Sequence, residues 1–294
     1  MKISVITPFY EGDKYMDSLI DCIIENEVSL KRAGHELELI LVNDSPWKTL
    51  VAPEAESQFI RVVTNAKNRG IHYSRVAGLA EAEGDFVMFL DQDDIIEGDA
   101  LVQLLDEIEE TDSDVVVANA QLEQADGSQL LWYRNEYHKK MVDDLNTYLR
   151  IGIQIISPGQ CLIRKSSIPD FWKTHIMNKN GADDYFLWLL MLAQGQKFCY
   201  YDRALYTHHY TATNLSADTT VTDESVYDFI DMLNDCDYFK QEDIFTLHEM
   251  ITYKNQFRAS NPIGKITCSL ANLSLFVDNI IFKKKTGTGY GFNR

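Results

Sequence analysis

The stretch EGDFVMFLDQDD, residues 83–94, joins an apolar segment directly to an acidic one. Residues 86–90 are a continuous apolar run, which is typical of a strand that is covered on both faces of a parallel sheet. Asp91, Asp93 and Asp94 follow this run almost without a break. Because ligands bind at the carboxyl ends of the strands in an open parallel sheet, the stretch predicts a buried central strand that ends at a ligand site.

Strands and helices are expected to alternate on both sides of this stretch. Segments with the two-residue period of a strand alternate with segments that have the helical period. The expected strands are residues 2–7, 37–42, 59–63 and 115–118. The expected helices are residues 13–33, 71–83 and 101–108. This order indicates an α/β fold built on a parallel sheet. The chain turns helical beyond residue 222, so we divide it into a body of residues 1–220 and a helical C-terminal region of residues 221–294.

The composition is that of an acidic globular protein. Of the 294 residues, 45% are hydrophobic and 24% are charged, which excludes large-scale disorder. The 27 basic and 45 acidic residues give a net charge of −18, so we expect no general binding to nucleic acid, which requires neutralisation of phosphates. The five cysteines are scattered without a C-x-x-C pair. The N-terminal apolar run is too short for a signal peptide, and a cytoplasmic location is expected.

The acidic cluster after the apolar run has several interpretations. Adjacent carboxylates repel one another unless a cation neutralises them, and such hard oxygen donors suit Mg²⁺ or Mn²⁺ together with a phosphate-bearing ligand. An acidic turn that caps the next helix is the alternative. An EF-hand loop is excluded, because its sixth and twelfth positions hold Ile96 and Val102. Phosphatases of the haloacid dehalogenase type use an Asp-x-Asp pair such as Asp91 and Asp93, but they carry it on their first strand.

A second acidic pair precedes the apolar helix expected at residues 185–193. Asp183 and Asp184 open this helix, where carboxylates are stabilised by the positive end of the helix dipole. Stability alone can explain one of the two acids. Two adjacent acids ahead of a buried helix face place one carboxylate near the pocket, in the position of a general base.

Five motifs follow one another in a specific order and spacing. They are Thr7-Pro8-Phe9-Tyr10, Val42-Asn43-Asp44-Ser45, Asn68-Arg69-Gly70 with Arg75, residues 83–94, and Asp183-Asp184-Tyr185-Phe186-Leu187-Trp188. Over residues 1–220 the chain therefore resembles the inverting glycosyltransferases of family 2. The resemblance implies the GT-A fold, a Rossmann-like fold of nucleotide-diphospho-sugar transferases. Its sheet is mixed and mostly parallel with helices on both faces, and here a helical C-terminal region follows.

The resemblance also implies roles for the residues of these motifs. Asp184 would be the base that deprotonates the acceptor hydroxyl, beside Asp183, where the family usually has glutamate. Asp44 would accept a hydrogen bond from uracil N3, and Asp93 would hold the Mn²⁺ or Mg²⁺ that bridges the diphosphate. The other implied residues of the donor site contact the base, the ribose or the diphosphate; they are Thr7, Pro8, Phe9, Tyr10, Glu11, Asn68, Gly70, Arg75, Asp91 and Gln92.

The expected metal site departs from the family pattern in one respect. Family members often have a histidine in a run resembling R-x-H-x-x-N-x-S, which completes the metal site. When residues 214–216 are aligned with the end of this run, Thr211 takes the place of that histidine, and the nearest imidazoles are those of His208 and His209. We expect His209, ahead of His208, to be the metal ligand, with packing or acceptor contact as the alternative for both.

The implied activity is transfer of a sugar from a nucleotide donor, expected to be a UDP-sugar, to an acceptor hydroxyl with inversion. The setting would be the synthesis of a surface polysaccharide or glycoconjugate, on a glycan, lipid-linked or protein-linked acceptor. A catalytically silent protein that binds sugar nucleotides or acts as a scaffold is the alternative, because Thr211 leaves the metal site incomplete. A sugar-nucleotide pyrophosphorylase is disfavoured, because residues 8–12 are not a glycine-rich basic loop.

The C-terminal segment has two interpretations. Residues 266–282 are largely apolar, and Lys283, Lys284 and Lys285 follow at once. The segment could lie on an anionic membrane, or it could be a helix packed on the body with its lysines at the negative end of the helix dipole. We favour packing, because the acidic body is repelled by the same membrane. Peripheral contact with the inner face of the cell membrane is the alternative to a purely cytoplasmic location.

Overall fold

Four parallel strands form the N-terminal half of the sheet. The computed structural model describes residues 1–51, 58–124, 126–209 and 219–288. In it β1 (Lys2–Phe9), β2 (Glu36–Asn43), β3 (Ile60–Thr64) and β4 (Phe86–Phe89) lie in the order β3-β2-β1-β4. β1 extends two residues beyond the predicted strand. All four side chains of β4 are buried, which confirms that the apolar run is a central strand.

The second half of the sheet mixes directions. It contains β5 (Ile95–Ile96), β6 (Val115–Glu123), β7 (Gln129–Leu131), β8 (Cys161–Arg164) and β9 (Phe198–His209). β8 runs antiparallel between β4 and β6, while β9 runs parallel to β6 and antiparallel to β5. The full order is β3-β2-β1-β4-β8-β6-β9-β5, with β7 paired to β6. Because β8 enters this sheet in the opposite direction, the turn before it reaches the same edge as the carboxyl end of β4.

Helices cover the sheet and frame its carboxyl edge. The long helices of the body are α1 (Met16–Arg32), α2 (Ile71–Glu81) and α3 (Ala100–Thr111). Three short helices follow, α4 (Glu136–Lys139), α5 (Leu145–Arg150) and α6 (Asp170–Thr174), and then α7 (Asp183–Ala193), which is as long as α2. α7 is buried nearly all round, from Tyr185 to Leu192, so its N-terminal turn is held in a defined place.

Four helices form the described part of the C-terminal region, residues 219–288, which packs on the body. They are α8 (Thr219–Leu233), α9 (Gln241–Ala259), α10 (Pro262–Ala271) and α11 (Leu273–Thr286). On α8, Phe229 stacks on Phe186 with 5.4 Å between ring centroids. α11 is tied to the body by an ion pair between Arg150 and Asp278. The division into two domains at residue 220 stays a prediction, although α8 begins next to it.

Helices α10 and α11 differ from the rest in composition. Among the described residues, no single helix is long and apolar enough to cross a membrane. α10 and α11 together reach that length and composition, but the chain bends by 106° between them. One face of α11 is buried through Leu275 and Phe282, so this helix packs on the body as the sequence analysis favoured.

Candidate active site

A cavity of about 870 Å³ opens at the carboxyl edge of the sheet. It lies where β1, β2 and β4 end and where α7 begins. Most of the residues predicted for the site line its wall: Pro8, Phe9, Tyr10, Glu11, Asp44, Asn68, Gly70, Arg75, Asp91, Gln92, Asp93, Asp183 and Asp184. Residues from five motifs, far apart in the chain, therefore share one cavity.

A buried arginine joins two of these motifs. Arg75 on α2 donates to Asp183 at 2.7 Å and to Asp91 at 2.6 Å. The side chains of Arg75 and Asp183 are each only 3% exposed. A buried cation requires such paired anions, and here one guanidinium connects the end of β4 to the first turn of α7. Arg75 thus sets the distance between the acidic segment and the predicted base.

Asp184 has the electrostatic surroundings of a general base. Burial first, and then the charge of Asp183, raise the pKa of Asp184 to about 7, while Arg75 opposes the shift. A base with a pKa near neutrality combines a deprotonated population with useful proton affinity. Asp184 lines the cavity, so the carboxyl group is in a position to meet a bound hydroxyl.

The acidic segment divides its three carboxylates between different partners. Asp91 pairs with Arg75. Asp94 is buried, and it accepts hydrogen bonds from the Tyr206 hydroxyl and, at 3.2 Å, from the backbone N–H of His209. Asp93 faces the cavity, and burial together with the charges of Asp94 and Asp91 raises its pKa to about 6. An added cation at Asp93 would relieve that repulsion.

His208 belongs to the same cluster. Its Nδ1 lies 3.1 Å from Asp94. Burial lowers the pKa of His208, but the hydrogen bond to Asp94 and the charges of Asp94 and its neighbours outweigh this effect and raise it overall. His208 also lines the cavity, which places an imidazole beside the acidic segment.

The Asp44 carboxylate shapes the turn that leads into α2. It accepts hydrogen bonds at 2.8 Å from the backbone N–H of Arg69, the backbone N–H of Gly70 and the side-chain amide of Asn65. Gly70 has φ +83°, and a Cβ atom there would lie 2.4 Å from Oδ1 of Asn180. Only glycine suits this position. Asp44 lines the cavity while making these three bonds, and a carboxylate offers about four acceptor positions.

The segment that follows β1 forms part of the cavity wall and is held in place by reciprocal hydrogen bonds. The backbone N–H of Tyr10 donates to Gln92 at 2.9 Å, and the Gln92 amide donates back to the Tyr10 carbonyl at 3.2 Å. Glu11 adopts φ +47°, an uncommon conformation for a residue other than glycine. Tyr10 is 46% exposed, and its ring meets that of the exposed Trp47 edge to face. These contacts hold an aromatic surface at the rim of the cavity.

Two predicted residues do not reach the described wall. Thr7 is fully buried within β1, and its hydroxyl has no hydrogen-bond partner among the described residues. His209, the expected metal ligand, is not among the described residues that line the cavity, and its role stays a prediction. Its Nδ1 contacts the backbone carbonyl of Asp93 and its Nε2 lies 3.8 Å from Glu123. Successive residues of a strand point to opposite faces, so β9 turns His208, not His209, toward the cavity. Thr211 and residues 214–216 lie outside the described residues.

The donor set allows a divalent cation but does not enclose one. Within the described part of the chain, no three His, Cys, Asp or Glu side chains are placed to hold a metal ion together. Mg²⁺ in such sites takes one or two carboxylates plus phosphate oxygens of the substrate. Asp93, crowded by negative charge at the cavity wall, fits this mode of binding, with Asp91 next to it. Metal use, and the choice between Mn²⁺ and Mg²⁺, stay predictions.

Sequence reasoning missed the far wall of the cavity. Asp223 on α8 and Lys254 and Arg258 on α9 line it. The indication was present in the sequence, because residues 244, 247, 251, 254 and 258 follow the spacing of one helix face, and Lys254 interrupts its apolar stripe. The turn before β8 also contributes, through Ser157 and Pro158.

The fold and the site match a known family. The family model described as Glycosyl transferase family 2 matches residues 4–172, more than half of the chain. The chain therefore belongs to this family, which confirms the resemblance noted above.

Curated relatives match over a shorter segment. Glycosyltransferase GlyG of Streptococcus pneumoniae is 29% identical over 121 residues, which are 40% of this chain and 38% of GlyG. The poly(ribitol-phosphate) beta-N-acetylglucosaminyltransferase TarS of Staphylococcus aureus is 31% identical over 121 residues, which are 40% of this chain and 20% of TarS. The match thus spans well under two thirds of either relative.

Solved structures of S. aureus TarS 1–349 share the fold. The complex with UDP-GlcNAc has a TM-score of 0.59 and 18% identity, covering 95% of this chain and 79% of that chain. The complex with UDP has a TM-score of 0.57 and 18% identity, covering 94% and 80%. The likeness extends through the C-terminal region. It confirms the GT-A fold with a helical C-terminal region.

Proposed function

We propose that this chain is an inverting glycosyltransferase that moves a sugar from a UDP-sugar to an acceptor hydroxyl during synthesis of a cell-surface glycan. The observation that carries the proposal is the position of Asp184. This residue opens α7 on the wall of the cavity that also contains Asp91 and Asp93. A proton acceptor and the acidic segment thus share one cavity. The family, and the UDP and UDP-GlcNAc complexes of TarS, support a uridine donor.

Asp184 would take the proton from the acceptor hydroxyl. As the proton leaves, the acceptor oxygen forms its bond to the anomeric carbon, and the bond from that carbon to the UDP oxygen breaks. Attack from the face opposite the nucleotide inverts the anomeric configuration. Asp183 would keep the first turn of α7 in place through its ion pair with Arg75, rather than take the proton itself.

The donor would bind along the ends of β1 and β2. Asp44 has one acceptor position left beside its three hydrogen bonds, which suits the N3–H of uracil. The hydrogen-bonded Tyr10 and Gln92 would form the wall beside the base and ribose. Asp91, oriented by Arg75, would contact the ribose.

Asp93, with His208 beside it, would hold a divalent cation together with the donor diphosphate, and such a cation supplies positive charge to a leaving diphosphate. His208 takes the place expected of His209, because it is the imidazole on the cavity wall. Its Nδ1 contact with Asp94 orients the ring.

The variant Asp184→Asn tests the proposal. The amide fills the same space but does not accept the proton, so the transfer rate should fall by about 10²- to 10⁴-fold. Binding of UDP should stay within a few-fold of the wild type. The control is Asp170→Asn, because the side chain of Asp170 on α6 is 92% exposed and does not line the cavity. Transfer by Asp184→Asn at near the wild-type rate would refute the role of Asp184.

The catalytically silent alternative gives a different result. Incubation with a panel of UDP-sugars and Mn²⁺ should release UDP slowly even without acceptor if the chain is an enzyme. A protein that only binds sugar nucleotides would release none, with either Asp or Asn at position 184.

A specific observation also favours peripheral contact with an anionic membrane, although α11 packs on the body. The outer faces of α10 and α11 expose seven large apolar side chains: Ile263, Ile266, Leu270, Leu273, Val277, Ile280 and Ile281. Lys265 on α10 and the exposed Lys283, Lys284 and Lys285 on α11 accompany them. Apolar side chains with lysines beside them complement an interface of acyl chains and anionic headgroups. We propose that these helices rest on such a surface while the cavity stays in the aqueous phase.

A further inference from the structure

The loop that leads into α7 is held from two sides. This loop, residues 175–182, connects α6 to α7. On one side, the Asn180 side chain accepts a hydrogen bond at 3.1 Å from the backbone N–H of Ile71, the first residue of α2. On the other side, Asp228 on α8 accepts hydrogen bonds from the backbone N–H groups of residues 178 and 179. The position of the first turn of α7, which carries the proposed base, therefore depends on how this loop is held.

His72 lies on the side of α2 that faces this loop, and it is buried. Its Nδ1 lies 3.1 Å from the backbone nitrogen of Met177, and its Nε2 lies 3.1 Å from the backbone carbonyl oxygen of Trp172. A backbone N–H group only donates and a carbonyl oxygen only accepts. Nδ1 therefore has to be the acceptor, and Nε2 has to carry the proton. The two contacts together require one neutral tautomer of His72.

The surroundings of His72 favour this neutral form. Burial lowers the pKa of His72, and the charge of Arg75 on the same helix acts in the same direction. Asp183 on α7, Asp228 on α8 and the hydrogen bond to the Trp172 carbonyl oppose the shift, but the pKa stays below its ordinary value. At neutral pH the imidazole is therefore uncharged and keeps both hydrogen bonds.

Trp172 connects His72 to the first residue of α7. The indole is fully buried, its ring centroid lies 4.5 Å from that of the imidazole, and its Nε1–H donates to the backbone carbonyl of Asp183 at 2.9 Å. The side chain of Asp183 is bonded to Arg75, which follows His72 by three residues on α2. Residues three apart share one face of a helix. One face of α2 thus holds the residue before Asp184 through both its main chain and its side chain.

We infer that His72 is a positioning residue: through Trp172 and the loop before α7, its neutral imidazole holds the carboxyl group of Asp184 where the acceptor oxygen is deprotonated. This inference rests on the proposed function. His72 is not among the described residues that line the cavity, so its effect on the reaction is exerted through Asp184. A displacement of about 1 Å at a reacting group can lower a rate by about 10²-fold, and loss of the His72 contacts should therefore affect the chemical step more than donor binding.

The variant His72→Phe tests this role in the full-length enzyme. Phenylalanine keeps an aromatic ring beside Trp172 and removes both hydrogen bonds. The assay is hydrolysis of a panel of UDP-sugars, UDP-GlcNAc included, with Mn²⁺. In it water attacks the anomeric carbon, UDP leaves, and Asp184 takes the proton of the water. We expect kcat to fall about 10- to 100-fold, while the affinity for UDP, measured by calorimetry, stays within about twofold. The control is His248→Phe, which should match the wild type, because His248 on α9 is exposed and is not among the described cavity-lining residues.

Two further readouts separate positioning of Asp184 from general support of the fold. Burial raises the pKa of Asp184 to about 7, so a displaced and more hydrated carboxyl group should have a lower pKa. The rise of kcat/KM with pH should then end at least about half a pH unit lower in His72→Phe than in the wild type. His72→Gln should restore part of the rate, to within about tenfold of the wild type, because its amide can donate to the carbonyl of Trp172. If His72→Phe fails to fold, His72→Asn replaces it, since the shorter amide can accept from Met177 but does not reach Trp172.

Three results would overturn the inference. One is hydrolysis by His72→Phe at near the wild-type rate. Another is a loss of UDP affinity as large as the loss of kcat, which would mean that His72 supports the fold of the whole site. The third is a lower rate with an unchanged pH profile, which would mean that Asp184 has kept its surroundings. Absence of hydrolysis in the wild type, or wild-type hydrolysis by Asp184→Asn, would instead contradict the proposed function.

Discussion

The variant Arg75→Met tests how much the buried ion pairs of Arg75 stabilise the protein. The side chain of Arg75 is 3% exposed and bonds two carboxylates at 2.6 and 2.7 Å, one of them on the equally buried Asp183. Methionine leaves both anions without their cation. Removing one partner of a buried ion pair typically destabilises a protein by about 3–5 kcal/mol, and we expect a decrease of that size in the free energy of unfolding at about pH 8.

The decrease should be smaller in mildly acidic solution. A carboxyl group whose pKa is raised by folding destabilises the protein as the pH rises, because the unfolded chain releases that proton more readily. Burial already raises the pKa of Asp91, and Arg75 opposes this effect. Without Arg75 the pKa values of Asp91 and Asp184 should rise further. At about pH 5.5 these two carboxyl groups are then largely protonated and uncharged, so they no longer require a cation beside them. The decrease in the free energy of unfolding should therefore be about 1–2 kcal/mol smaller than at about pH 8.

Urea unfolding followed by tryptophan fluorescence measures both values. The matched control is Arg61→Met, because Arg61 is 40% exposed and pairs with Glu83 at the surface. Exposed pairs contribute at most about 1 kcal/mol, so this variant should unfold near the wild-type midpoint at both pH values. The reasoning is refuted if Arg75→Met loses less than about 1 kcal/mol at about pH 8, or loses no more there than at about pH 5.5.

Three further measurements address other parts of the molecule. The pKa of about 7 at Asp184 predicts that kcat/KM rises about tenfold per pH unit below that value and levels off above it, because the base must be deprotonated; a flat profile from pH 5.5 upward would contradict this. In calorimetric titrations of UDP, Asp93→Ala should abolish the increase in UDP affinity that Mn²⁺ causes. Asp44→Ala should lower the affinity for UDP equally with Mn²⁺ and with EDTA. If UDP binding by both variants responds equally to the metal, the two residues do not have separate roles. In flotation with vesicles containing phosphatidylglycerol at low salt, the wild type should bind to the vesicles and Leu270→Asp should not. The control Leu130→Asp, on β7, should bind like the wild type. Absence of wild-type binding would refute the membrane proposal.

The cavity wall proposed for the donor could be predicted to come together because its residues directly follow strands. Asp44 and Asp91 lie at the ends of β2 and β4, and parallel strands bring such ends to one edge. A local pattern was enough to place them together. The interaction of Arg75 with Asp183 was not predicted, because it joins residues 108 positions apart, and only the packing of α2 beside α7 brings them into contact.

The choice between two adjacent histidines required the strand register. A shift of one residue exchanges the two faces of a strand. β9 pairs with β6 through irregularities near Asn119, and the sequence does not reveal where such shifts fall. His208 consequently faces the cavity instead of His209. Lys254 was missed for a related reason, since the helical spacing indicates its face but not the cavity that the face covers.

The position of α7 bears on how this protein can be divided. The family match ends at residue 172, yet the first turn of α7 supplies both the proposed base and the partner of Arg75. A fragment that stops at the family boundary would keep the donor-side loops and lose Asp183, leaving Arg75 with a single anion. It would also expose Trp172, which is fully buried in the whole chain. The smallest piece that can be expected to fold and to work therefore extends well past the segment by which the family is recognised, because residues of α8 and α9 also line the cavity.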